Sequence, residues 1–185
     1  MNRLWAPWRI EYIRTKDIDG CVFCHKSVSK NDEDDLVLFK GEECFVLMNL
    51  YPYSNGHLMI SPYSHTSDTN DLSSNCNEEI MHLANESMNI LKKKMNAEGF
   101  NFGANLGKAG GAGIEDHLHY HIVPRWLGDT NFMPVVGTTK VMVEGLNETW
   151  LSLKTEFDKI KDMYCLLYTS PSPRDATLSR MPSSA

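Results

Sequence analysis

The sequence predicts an α+β domain built on a mainly antiparallel sheet, and three observations support this class. Short apolar segments separated by tight turns occupy the early part of the chain, which is typical of hairpins. One long segment then has apolar residues at helical spacing, and two further strand-like segments and a second helical segment follow it. Strands joined by tight turns pair antiparallel, whereas a doubly wound sheet needs a helix between its strands.

The first predicted strands form a hairpin with a third strand after it. The apolar segments 36–39 and 44–50 are separated by a Gly-Glu-Glu turn, and a turn cluster at 52–56 precedes a strand at 57–61. We expect this strand to stop at Pro62, because proline has no N–H to donate to a sheet.

Two helices and two more strands complete the prediction. A long helix is expected within 72–98 and ends at Gly99; its buried stripe is Ile80, Leu83, Ala84, Ser87, Met88, Leu91 and Met95. Strands are expected at 100–106 and 117–123, the second ended by Pro124. A final helix is expected to be capped by Asn147 and to bury Trp150, Leu153, Phe157 and Ile160.

Composition limits the class of protein further. The chain has 185 residues, which suits one ordinary domain, and its net charge of −6 argues against a partner held by phosphate neutralisation along a nucleic acid. It contains no apolar run of about eighteen residues, as a membrane helix needs, and no apolar stretch with a cleavage site near its start. We therefore expect a cytoplasmic protein that binds neither nucleic acid nor membrane.

The end of the chain differs from the rest. Residues 165–185 are rich in Ser and Pro and show no helical or strand period. They resemble a translated reading frame of a sequencing adapter. The domain is expected to span 1–164, and 165–185 are expected to be a disordered, non-native tail.

The strongest chemical signal is a row of histidines at His117, His119 and His121. Side chains alternate between the faces of a strand, so the three imidazoles are expected to share one face. Burying three imidazoles without a function is costly. Two hypotheses explain them: the imidazoles share a zinc ion, or one of them is a nucleophile, since neutral imidazole attacks phosphorus well near neutral pH.

A glycine-rich loop at 107–113, just before these histidines, favours the phosphate hypothesis. Glycines such as Gly111 and Gly113 let backbone N–H groups approach phosphate oxygens closely, although a flexible connector is the alternative explanation. Asn105 could hydrogen-bond the phosphates, and Lys108 could offset their charge. We expect these four residues to bind substrate.

Cys21 and Cys24 form a Cys-x-x-Cys pair, which indicates metal or redox chemistry in a chain without a secretory signal. Two thiolates from one turn need two more ligands to complete a tetrahedral zinc site. His65 and His117 are the candidates, with His25 as an alternative. A redox pair is the weaker hypothesis, because no thioredoxin-like order of elements is present.

The chain resembles the histidine-triad (HIT) family, whose signature of three histidines alternating with apolar residues is matched at 117–123. The resemblance extends through Asn49, the Gly-His-Leu-Met-Ile stretch at 56–60, the glycine-rich loop and Pro-Arg-Trp at 124–126. It implies a five-stranded antiparallel sheet with one long helix and a C-terminal helix. It also implies a homodimer formed by extension of the sheet.

The resemblance implies a role for each polar residue. His119 would be the nucleophile on the α-phosphate and form a nucleotidyl-histidine intermediate. His121 would contact the phosphate with His57 close to it, and Asn49 would contact ribose hydroxyls unless it only caps its turn. Zinc-bearing members of the family imply a structural zinc ion held by Cys21, Cys24, His65 and His117.

The N-terminal Leu-Trp-Ala-Pro-Trp-Arg and residues 128–135 are most similar to the family's branch of diadenosine tetraphosphate phosphorylases. The dinucleoside hydrolase branch carries Gln where this chain has Gly113. The resemblance therefore favours inorganic phosphate over water as the acceptor, with ADP and ATP as products. The alternatives are a hydrolase of dinucleoside polyphosphates or nucleoside phosphoramidates, and a nucleotide-binding regulatory module with little turnover.

Overall fold

The computed structural model describes residues 20–129, 142 and 144–169, with side chains up to residue 161. Within these residues the elements are α1 (Val22–Val28), β1 (Val37–Lys40), β2 (Cys44–Met48), β3 (Leu58–Pro62), α2 (Ser74–Met95), β4 (Gly99–Ala104), β5 (Tyr120–Arg125) and α3 (Leu146–Thr169). The predicted α+β class is confirmed.

The five strands form one sheet in the order β1-β2-β3-β5-β4, and all neighbouring strands are antiparallel. The predicted hairpin of β1 and β2 is confirmed. The last strand, β5, lies between β3 and β4, so that His121 sits opposite Met59 on one side and Gly103 on the other. This insertion places His121 inside the sheet, with His117 and His119 in the segment that leads into β5, and leaves β1 and β4 as the edge strands of the described sheet.

The two faces of the sheet carry different side chains. One face packs against α2 and α3 in the main core, to which β5 and the residues before it contribute Leu118 and Ile122. The opposite face holds a smaller apolar cluster, which consists of Phe23, Val37, Phe45, Leu47 and Met59. Leu118 and Ile122 point into the main core, so the alternating histidines, of which only His121 lies within β5, emerge on this second face, next to the small cluster.

The ends of the long helix α2 are determined by a capping side chain at its start and a left-handed residue at its end. The Ser73 hydroxyl accepts a hydrogen bond from the Cys76 backbone N–H at 3.0 Å and caps the first turn. The predicted stop at Gly99 is wrong, because Asn96 takes the left-handed conformation with φ 51° and Gly99 already begins β4. Asparagine tolerates this conformation better than most residues. The predicted stripe is buried except for Met88 and Met95, which are partly exposed.

The boundaries of β5 also differ from the prediction. The strand begins at Tyr120, three residues later than expected, and it continues through Pro124. Strand β3 pairs only with positions 120–122, so Pro124 has a neighbour on the β4 side alone. A proline is tolerated at such a position because its missing N–H faces no partner strand.

The last helix is longer than expected at both ends. It begins at Leu146, so Asn147 lies in its first turn rather than at the cap, and it runs to Thr169, past the predicted boundary at Tyr164. The predicted stripe is confirmed, with Trp150, Leu153 and Phe157 buried and Ile160 partly buried.

Residues 170–185 lie outside the described part of the chain, so the disordered tail stays a prediction there. Among the described residues, no helix is long and apolar enough to cross a membrane.

Candidate active site and metal centre

Four side chains from distant parts of the sequence meet at the start of α1. They are Cys21, Cys24, His65 and His117, and their ligand atoms all lie within 4.8 Å of one another. The Cys21 Sγ is 3.2 Å from the His117 Nδ1, and the Cys24 Sγ is 3.3 Å from the His65 Nδ1. The two imidazole Nδ1 atoms are 3.2 Å apart. The sequence indicated His65 and His117 as candidates, and the family resemblance implied this set of four, which the fold brings together.

The geometry fits a tetrahedral metal ion. Zinc–nitrogen bonds of about 2.0–2.1 Å and zinc–sulfur bonds of about 2.3 Å require ligand atoms about 3.3–3.8 Å apart at the corners of a tetrahedron. Four of the six separations, between 3.2 and 3.5 Å, lie at or slightly below this range, and the other two are within 4.8 Å. Two thiols and two imidazoles are donors that zinc prefers, so the chemistry of the four side chains fits this ion.

A second hydrogen bond fixes the orientation of the His117 ring. Its Nε2–H donates to the Pro62 carbonyl oxygen at 2.9 Å, so the Nδ1 lone pair faces the cluster. Metal-ligating histidines are commonly oriented in this way by a carbonyl group. The alternative ligand His25 is exposed and lies outside the cluster. Cys44 and Cys76 are buried elsewhere, and burial raises the pKa of the Cys76 thiol to about 11.

His119 is buried and has one ring nitrogen committed to the backbone. The His119 Nδ1 lies 2.8 Å from the His117 carbonyl oxygen, which can only accept, so the Nδ1 carries the proton and donates. The Nε2 of the neutral ring therefore presents its lone pair. A lone pair on a fixed imidazole is what a nucleophile requires.

His121 has the opposite tautomer to His119, and a hydrogen bond from His57 determines it. The Tyr53 backbone N–H donates to the His57 Nδ1 at 3.0 Å, so the proton of the neutral His57 ring is on Nε2. That Nε2–H donates to the His121 Nδ1 at 3.0 Å, which places the His121 proton on its own Nε2. The structure thus supplies one imidazole with a lone pair at Nε2 and a neighbouring one with an N–H, their ring centres 5.0 Å apart.

Burial keeps these imidazoles neutral. Desolvation lowers the pKa of His119, and its hydrogen bond to the His117 carbonyl only partly opposes this. Desolvation and the adjacent His119 lower the pKa of His121 to about 4. At neutral pH both rings are therefore uncharged, which a nucleophilic imidazole needs.

The pKa of His121 leads to a prediction on stability. The unfolded chain takes up a proton at His121 near pH 6.5, whereas the folded protein resists protonation until about pH 4. The free energy of unfolding should therefore fall by up to about 3 kcal/mol as the pH falls through this window. Urea unfolding at several pH values measures the slope. His121→Asn should flatten it, and an unchanged slope in this variant would contradict the prediction.

Of the predicted substrate-binding residues, Asn105 lies beside His121, and three others belong to the glycine-rich loop. Asn105 lines a cavity of about 390 Å³ together with His121, Tyr53 and Arg125. Gly111 has a φ of 85°, which favours glycine. Gly113 and Lys108 are exposed in the same loop.

Asn49 lies beside His57. Its Oδ1 accepts a hydrogen bond from the Tyr51 backbone N–H at 2.9 Å, as the turn-capping alternative requires, and its Nδ2 is 3.3 Å from the His57 Nδ1. Its contact with ribose stays a prediction.

Gly56 brings the turn before His57 so close to α2 that a Cβ would lie 2.6 Å from the Met95 sulfur. This close approach helps to hold the segment that leads into His57.

Two aromatic residues at the site were missed by sequence reasoning. The Phe23 ring lies 4.8 Å from the His119 ring, and the Tyr53 ring stacks on His57 at 4.8 Å. The position of Phe23 between the two cysteines was the available signal for the first. Nothing in the local sequence indicates the second, because Tyr53 reaches His57 through a turn.

The five-stranded sheet and its alternating histidines define a histidine-triad protein. A profile of the HIT domain matches residues 30–126, and the chain belongs to the HIT family. The N-terminal tryptophans and most of 128–135, which carried part of the resemblance, lie outside the described residues.

The relatives include named enzymes. The chain is 34% identical over 165 residues to AP-4-A phosphorylase of Mycobacterium tuberculosis, and the alignment covers 85% of each protein. It is 23% identical over 145 residues to adenosine 5'-monophosphoramidase of Saccharomyces cerevisiae, with 78% of each covered.

Solved structures show the same fold. A Zn-bound histidine triad family protein from Mycobacterium smegmatis matches with a TM-score of 0.61 and 21% identity, covering 78% of this chain and 97% of that one. A histidine triad nucleotide-binding protein from Sulfolobus tokodaii matches with a TM-score of 0.60 and 21% identity, covering 76% and 94%.

Proposed function

We propose that this protein is a nucleotidyl transferase that cleaves dinucleoside polyphosphates by phosphorolysis. The observation that supports this best is the pair of opposite tautomers: His119 offers a lone pair at Nε2, and His121 offers an N–H beside it. Such a pair can attack phosphorus while hydrogen-bonding a phosphate oxygen. The relationship to AP-4-A phosphorylase favours diadenosine tetraphosphate as the substrate.

In the first step, the His119 Nε2 attacks an α-phosphorus and forms an N–P bond. The P–O bond to the remaining phosphates breaks, and ATP leaves with that electron pair. The His121 Nε2–H hydrogen-bonds the phosphate oxygen on which charge develops. The His57 hydrogen bond keeps the His121 proton at that nitrogen throughout.

In the second step, an oxygen of inorganic phosphate attacks the same phosphorus. The N–P bond breaks, the electron pair returns to the His119 Nε2, and ADP is released. Backbone N–H groups of the loop at 107–113, with Lys108 and Asn105, are the proposed contacts for the phosphates. The His117 carbonyl holds the His119 Nδ1 proton in place during both steps.

A zinc ion held by Cys21, Cys24, His65 and His117 is proposed to be structural. It would stabilise the fold around the site and take no part in bond breaking. The fit of the four ligand atoms supports this proposal. His117 would then hold the metal while His119 remains available for chemistry.

Product analysis tests the proposal. Phosphate should accelerate cleavage of diadenosine tetraphosphate, and ADP should appear with ATP, whereas hydrolysis would give AMP with ATP. Gly113→Gln should shift the products toward AMP, because an amide at this position can orient water. Gly113→Leu, of similar size, is the matched control and should not produce the shift. Formation of AMP and ATP at a rate indifferent to phosphate would instead establish the hydrolase alternative.

We further propose that the protein forms a homodimer by extension of its sheet, in the cytoplasm. Strands β1 and β4 are the edges of the described sheet, which supports pairing through one of these two strands.

A further inference from the structure

Phe23 occupies a position between the metal ligands and the proposed nucleophile. It lies between Cys21 and Cys24 in the sequence, and its side chain is only 2% exposed. Its ring centre is 4.8 Å from that of His119, with 32° between the planes, and 5.2 Å from that of His117. Phe23 therefore covers one face of the His119 imidazole.

Two other groups hold the same imidazole. The His117 carbonyl oxygen binds the His119 Nδ1 at 2.8 Å and fixes one edge of the ring. The His121 ring stands at 79° to it, with the ring centres 5.0 Å apart. Phe23 adds the apolar contact on the face, which resists rotation of the ring about its Cβ–Cγ bond. The direction of the Nε2 lone pair depends on that rotation.

The element that carries Phe23 is weakly held by local interactions. Helix α1 has only seven residues, and its N-cap, Cys21, makes no side-chain capping hydrogen bond. Helices this short are unstable without tertiary contacts. This helix is therefore placed by contacts outside it: the burial of Phe23, the grouping of both cysteines with His65 and His117, and a hydrogen bond from the Lys26 Nζ to the Asp35 carbonyl oxygen.

We propose that Phe23 is a positioning residue for His119, and that a metal ion on Cys21 and Cys24 maintains this contact. The metal centre thus supports the nucleophile through the phenyl ring as well as through the backbone of His117. This inference rests on the proposed function for its kinetic consequence only. A nucleophile displaced by about 1 Å loses about a hundredfold in rate, so a loss of tenfold or more in kcat is expected when the ring is removed.

The kinetic test compares two substitutions in the same apolar cluster. Phe23→Leu should lower kcat for diadenosine tetraphosphate at least about tenfold, with KM within about twofold. Phe45→Leu is the matched control, because Phe45 is fully buried in the same cluster and stacks on Tyr63 instead. It should lose comparable thermal stability and keep its kcat. Phe23→Tyr, which keeps a flat ring, should restore most of kcat, and Phe23→Met replaces Phe23→Leu if the latter does not fold.

The spectroscopic test needs no substrate. In protein with isotope-labelled histidine, the His119 ring signals are assigned by their loss in His119→Ala. Phe23→Leu should move these signals, because it removes a ring current, and leave those of His57 in place. Removing zinc from the parent protein with a chelator should also move the His119 signals, and the same treatment of Phe23→Leu should move them less.

The outcomes separate the two proposals. If the parent protein does not cleave the substrate, the proposed function fails, and the histidine spectra still decide whether Phe23 positions His119. A raised KM with unchanged kcat would show that Phe23 binds substrate and would overturn the inference. Unmoved His119 signals in Phe23→Leu, or a kcat loss equal to that of Phe45→Leu, would overturn it as well. An equal response to chelation in both proteins would overturn the role of the metal.

Discussion

His119→Ala is expected to abolish cleavage of diadenosine tetraphosphate, with a loss of at least about a thousandfold in kcat. Covalent capture of the nucleotidyl group needs the Nε2 lone pair, which alanine lacks. Binding should be largely intact, because the proposed contacts to a nucleotide are spread over the loop at 107–113 and the neighbouring pocket. The measurement is product formation under saturating substrate, together with the affinity for AMP by calorimetry.

His25→Ala is the control for this experiment, since His25 is an exposed histidine outside both the metal cluster and the triad. It should behave like the parent protein. Turnover of His119→Ala within a few fold of the parent would remove His119 as the nucleophile. A parent protein that binds nucleotide without turning it over would support the regulatory module instead.

Cys21→Ser is expected to lose both the zinc ion and thermal stability. Freshly purified parent protein should contain about one zinc ion per chain, and the variant should contain far less, because a hydroxyl is a poor replacement for a thiolate in a zinc site. Loss of a ligand bound about a thousandfold above its Kd removes about 4 kcal/mol, which lowers Tm by about 10 °C in a domain of this size. Metal analysis and thermal unfolding measure the two effects.

The same His25→Ala variant serves as the control here, since His25 follows Cys24 directly and was the alternative ligand. It should keep its zinc ion and its Tm. Freshly purified parent protein without zinc, prepared in the absence of chelators, would refute the metal site.

Local patterns in the sequence were sufficient to predict the elements that bury residues at a regular spacing. The periodicity of α2 and the Gly-Glu-Glu turn between β1 and β2 predicted both correctly, since each element buries one face at a regular spacing. The row of histidines was predicted on one face for the same reason. Where a boundary depended on pairing with a distant strand, the prediction was wrong: Pro124 continues β5 because β3 no longer flanks it there.

The sequence by itself determined the α+β class, the resemblance to histidine-triad proteins and the residue types of the site. Only the tertiary structure decided which groups meet: Cys21 contacts His117, 96 residues away, and Phe23 covers His119. It also decided the tautomers, because the His117 carbonyl and the Tyr53 N–H reach the imidazoles only in the folded chain. The physical reason is that side-chain spacing follows from local geometry, whereas contacts across the sheet follow from strand order and burial.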